Sequence, residues 1–118
     1  MIDQQELPGL VEKALPELSG EFEKTKCRNA YDVMRQLFNY TASQVVKHNL
    51  AAAKKCLSLA EQLYHNGNIT IKNAIENVFI YSFSREFFFD DKRRKEVIQI
   101  VPLSLYEIYK RQVINSHI

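Results

Sequence analysis

Apolar residues recur along this chain at three- and four-residue spacing, the signature of helices that bury one face. Five segments carry that rhythm. The first covers residues 4–23, where Leu7, Leu10, Val11, Ala14, Leu15 and Leu18 form a stripe. Pro8 suits a first helical turn, because its missing N–H has no partner there anyway. Pro16 removes a backbone bond and clashes with the turn before it, so a kink or break is expected, with a short second piece over residues 19–26. The second segment covers 29–49. Asn29 is its expected N-cap, and Ala30, Met34, Leu37, Phe38, Thr41, Ala42 and Val45 share a face.

The third segment covers 50–66, with Leu50, Ala53, Leu57, Ala60, Leu63 and Tyr64 on one stripe. Its alanines give high helicity and a slim surface. His65-Asn66-Gly67-Asn68 is the clearest turn: Gly67 is expected in the left-handed conformation, with Asn68 capping the next helix. That helix covers 69–88. It is apolar almost all round between Val78 and Phe83, which marks a central helix. Asp90-Asp91 ends the run and opens a fifth helical stretch to Val101. Pro102 then kinks it or separates it from a last piece over 102–115, with a frayed tail at 115–118. The Phe87-Phe88-Phe89 triplet is the best strand candidate and is too short alone. The expected architecture is a single all-α domain of five or six helices packed as antiparallel hairpins.

Composition bounds this picture. With 118 residues, 46% hydrophobic and 25% charged, the chain has room for one domain with a core. The longest uncharged run, Gln36 to Val46, is eleven residues, too short for a membrane span of about 20. The acidic N-terminus, Met-Ile-Asp-Gln-Gln-Glu, lacks the basic and apolar regions of a signal peptide, so a cytoplasmic location is expected. Cys27 and Cys56, without CxxC spacing, read as free thiols in or near the core. The net charge of +2 conceals an asymmetry. Residues 1–23 hold six acids against one base, a net −5, and residues 24–118 hold fifteen bases against eight acids, a net +7. The acidic segment is expected either to lie across the basic body or to form an interaction surface of its own.

Two resemblances attach to particular residues. The run Leu59-Ala60-Glu61-Gln62-Leu63-Tyr64-His65-Asn66-Gly67-Asn68, followed by Ala74 and Phe79, resembles one tetratricopeptide hairpin. With no second copy near a 34-residue period, it implies repeat-like packing and not a repeat protein. The stretch from Ala60 to Ser82 and the ending from Pro102 to Gln112 resemble a family of small, uncharacterised bacterial proteins of the domain-of-unknown-function kind. That resemblance implies an all-helical fold and transfers no catalytic residue. In size and composition such proteins are similar to immunity proteins that neutralise toxins.

Candidate chemistry is sparse. Lys92-Arg93-Arg94-Lys95, beside the Phe87–Phe89 aromatics, reads either as a phosphate-binding cluster or as a solvated first helical turn paired with Asp90, Asp91 and Glu96. His48, His65 and His117 lack metal-ligand spacing. Glu61 and Glu76 lie on the hairpin helices. The plainer reading leaves Glu61 exposed and pairs Glu76 with Lys72 at i,i+4. No phosphate loop, GxSxG or Cys–His arrangement occurs, so neither an enzyme nor a cofactor is expected. The six tyrosines fit a binding surface or the rim of a core equally. The expected role is protein–protein interaction by occlusion, immunity- or antitoxin-like, with Tyr64, Tyr81, Arg85, Arg93 and Arg94 as the partner-binding residues. The rival is a small nucleic-acid-associated regulator using residues 92–95. The oligomeric state is left open.

Overall fold

Asparagines open the three central helices. In the computed structural model, which describes residues 1–18, 29–88 and 91–116, Asn29, Asn49 and Asn68 each accept a hydrogen bond from the backbone N–H three residues on. Each cap satisfies a donor that the first helical turn leaves unpaired. Six helices follow among the described residues: α1 (Leu7–Ala14), α2 (Ala30–Val46), α3 (Leu50–Asn66), α4 (residues 69–87), α5 (Asp91–Ile98) and α6 (Leu103–Ser116). The only extended pairing described is an isolated bridge between Ile2 and Gly67. The fold is all-α, as the spacing of apolar residues predicts, and no described helix is long and apolar enough to cross a membrane.

Pro16 breaks the first segment outright. Leu15 leaves the helix at φ −128°, and Pro16–Leu18 forms a 3₁₀ turn. The expected piece over 19–26, Cys27, Phe89 and residues 117–118 lie outside the described residues. At the other end Pro102 separates α5 from α6, and α6 runs to Ser116, further than the predicted fraying allows.

The core runs through the middle of α4. Leu7, Val11, Met34, Leu37, Ala53, Leu57, Ala60, Ile71, Ile75 and Phe79 are buried in one cluster with Leu105 and Ile108 of α6. Phe79 is fully buried, edge-on to Phe38 and stacked on Phe83. The prediction that α4 is central holds. Its middle turn, Ile75–Ile80, is π-helical, which the sequence pattern does not reveal. Thr41 is the one buried polar residue of α2, and its hydroxyl donates to Leu37 O within the helix.

Gly67 corrects its expectation. Its backbone is extended (φ −80°, ψ 158°), and among the described non-glycine residues the left-handed one is His48 (φ 61°), in the α2–α3 turn. Glycine is needed at 67 for space: a Cβ there would lie 2.6 Å from both Ile71 Cγ2 and Leu63 O. The extended conformation lets the N-terminus dock. Ile2 N donates to Asn66 O and Asn68 N donates to Ile2 O, both at 2.8 Å.

The acidic N-terminal segment packs against α2. There Tyr40 Oη donates to Glu17 at 3.0 Å. Burial, and then this carboxylate, push the Tyr40 phenol up to about 12.

Candidate functional site

Two carboxylates strap α6 to the hairpin beneath it. Ser104 Oγ, in the first turn of α6, donates to Glu61 at 2.6 Å. Near the other end, Gln112 Nε2 donates to Glu76 O at 2.7 Å, meeting a carbonyl of the π-helical turn. Arg111 lies 4.0 Å from the Glu76 carboxylate, which also accepts from Tyr64 Oη at 2.6 Å. Both plainer expectations are thereby corrected. Glu61 is partly buried against Ser104, and Glu76 is held by Tyr64 and Arg111 across helices. Lys72 Nζ lies over the Tyr64 ring at 5.9 Å. Burial and the Glu76 bond raise the Tyr64 phenol above its ordinary range.

Leu105 and Ile108 anchor α6 in the core, and the adjoining flank of the helix faces α5. Between the two helices lies an open groove of about 230 Å³, lined by Arg94, Tyr106, Tyr109, Lys110, Val113 and Ile114. Its wall is rigid on one side. Tyr109 packs against Phe88 with ring centres 4.4 Å apart, and Phe88 meets Phe83 and Tyr106 edge-on. α5 is held more lightly. Val97 is the buried residue among its described side chains, and Glu96 reaches His48 Nδ1 at 3.1 Å in the α2–α3 turn.

The predicted site residues fall in three places. Tyr64 belongs to the strap, with its hydroxyl spent on Glu76. Tyr81 and Arg85 form an exposed pair one turn apart on α4, joined by a 3.1 Å hydrogen bond and a guanidinium stacked 5.6 Å from the ring centre. Arg93 and Arg94 lie on α5, both half-buried. Arg93 Nη1 is buried without a hydrogen bond, and Arg94 lines the groove. The structure thus joins Tyr81 to Arg85, and gives Arg94 neighbours that the prediction did not name: Tyr106, Tyr109, Lys110, Val113 and Ile114. A signal for them does exist in the sequence. Leu103, Tyr106, Lys110 and Ile114 recur at three- and four-residue spacing outside the buried Leu105–Ile108 face.

The residues match a family model over positions 8–115, from the second residue of α1 to the penultimate residue of α6. The chain belongs to the family described as Domain of unknown function (DUF7674). No curated protein and no solved structure matches it. In this DUF7674 chain the described residues contain no group of three His, Cys, Asp or Glu side chains placed to share a metal ion. Cys56 is buried, and burial pushes its thiol up, away from the reactive thiolate. What the arrangement around α5 and α6 offers is a surface: an apolar, tyrosine-walled groove with two cations on its lining and no carboxylate among them.

Proposed function

We propose that this protein is a protein–protein interaction module that works by occlusion, covering part of a partner with the α5–α6 face. The observation that carries the reading is the groove holding Arg94, Tyr106 and Tyr109 beside the exposed Leu103 and Ile114. Interfaces are enriched in tyrosine and arginine. Leu103 is 71% exposed and Ile114 63% exposed, while Leu105 and Ile108 of the same helix are buried. An immunity- or antitoxin-like role in a bacterial cytoplasm is the form of occlusion that fits a small helical protein. The lining carries two cations, Arg94 and Lys110, a small footprint for a phosphate backbone, which weighs against the nucleic-acid reading.

The test is affinity capture of a partner from the native cell, followed by its purified binding to the wild-type chain and to an Arg94→Glu/Ile114→Asp variant. Binding lost in this variant and kept in Tyr81→Ala supports the reading. A partner that binds both equally contradicts it, as does capture of nucleic acid alone with steep salt dependence. The immunity form predicts in addition that co-expression with a captured toxin restores growth.

A further inference from the structure

The α5–α6 groove also restricts what kind of surface it accepts. At about 230 Å³ it is smaller than the roughly 300–1,000 Å³ pockets that enclose drug-sized ligands and cofactors. It suits one large apolar side chain projecting from a peptide. Val113, Ile114 and the tyrosine rings supply an apolar lining for such an anchor.

Charge decides what flanks the anchor. Arg94 and Lys110 are the charged residues of the lining. Arg94 has no hydrogen-bond or ion-pair partner among the described residues, and Arg93 Nη1 is buried without one. Among the described side chains, the acids of α5 and α6 do not fill that role. Glu96 is turned to His48, and Glu107 falls at i,i+4 spacing to Arg111, beyond the lining. A half-buried guanidinium without a carboxylate presents a planar fork that matches one. Lys110, parked over the Tyr106 ring at 5.7 Å, adds a second cation within the same groove.

We infer that the groove binds a peptide segment of the partner in which one large apolar side chain is flanked by aspartate or glutamate. The inference rests on the interaction reading above and specifies the chemistry of that same face. Arg94 pairs with the flanking carboxylate, Lys110 strengthens its field, and the anchor covers Val113 and Ile114. The tyrosines act as walls that Phe88 holds in place.

The experiment is selection of short random peptides displayed on phage against the full chain. Selected peptides are then synthesised and titrated by fluorescence anisotropy against the wild type, Arg94→Glu, Arg94→Lys, Ile114→Asp and Tyr81→Ala, each checked for folding by circular dichroism. Enriched sequences are expected to carry Asp or Glu next to Leu, Phe, Tyr or Trp. Binding should weaken by about tenfold or more in Arg94→Glu and Ile114→Asp, less in Arg94→Lys, and not in Tyr81→Ala. Three results overturn the inference: no enrichment, enriched peptides that bind the groove variants as well as the wild type, or displacement of the peptides by a single-stranded oligonucleotide. The interaction reading fails separately. If selected peptides occupy the groove but displace no captured partner, the groove chemistry stands and occlusion through this face is refuted.

Discussion

At the α3–α4 corner, the chain ends its helix by meeting partners. Gly67 N–H donates to Leu63 O, Asn68 caps α4 through Ile71 N–H, and Ile2 bonds to both sides of the turn. The α5–α6 end behaves differently. Among the described residues Arg94 has no hydrogen-bond or ion-pair partner, and Arg93 keeps a buried nitrogen unbonded. Buried polar groups are rarely left unpaired in scaffolds, because each one costs the stability it fails to recover. The difference separates an end tied into the fold from an end that keeps polar groups unsatisfied, which is the face proposed above for a partner. The corner can be damaged only at the expense of stability. The α5–α6 face can be altered with little effect on stability, and its effect should appear in binding.

The widest way to break this comparison is to truncate one apolar side chain in the scaffold's core and one on the face. Phe79→Ala, in the middle of the core, should cost about 3–5 kcal/mol in chemical denaturation, whereas Ile114→Ala should stay within about 0.5 kcal/mol. Equal losses would remove the distinction. A sharper probe is Gly67→Ala. A methyl group placed 2.6 Å from a backbone oxygen and from Ile71 forces the corner to shift, at a cost of about 1–3 kcal/mol. Because φ at this glycine is negative, the penalty should be larger for Val than for Ala, reflecting crowding and not a left-handed backbone. Asn68→Ala removes only the cap and should cost about 1 kcal/mol, measured in the same way.

A smaller effect sits apart from both regions, where the Pro16–Leu18 turn meets α2. The Tyr40 phenol stands at about 12 against an ordinary 10, so the neutral form is favoured by folding. That contribution is fully present below pH 10 and is lost as pH rises through about 12. The stability difference between the wild type and Tyr40→Phe should therefore change within that window and stay flat from neutral pH up to its lower edge. A difference that changes below it would place the coupling elsewhere.

Much of the scaffold was legible in the sequence because local rules produce it. Asn29 and Asn68 cap their helices through their own side chains, Pro16 interrupts the first segment by geometry, and the three-to-four spacing marks the buried faces. The partners of Glu61 and Glu76 were not legible, because Ser104 and Arg111 come from a helix more than thirty residues away in the chain. Gly67 was placed at the right turn for the wrong reason. Its position followed from the composition of the turn, but its conformation depends on Ile2, docked from the other end of the chain. The candidate face was half visible. Arg93 and Arg94 stood out as charge, yet the groove exists only because α6 folds back beside them and presents Tyr106, Tyr109 and Ile114.

The division between scaffold and face is tested most directly by measuring stability and binding on one variant, Arg94→Glu/Ile114→Asp. The variant should keep its stability within the spread of surface substitutions, about 0.5 kcal/mol, while its binding of a captured partner weakens by about tenfold or more. Unchanged binding on an intact fold would contradict the division, and so would a loss of stability as large as that of Phe79→Ala.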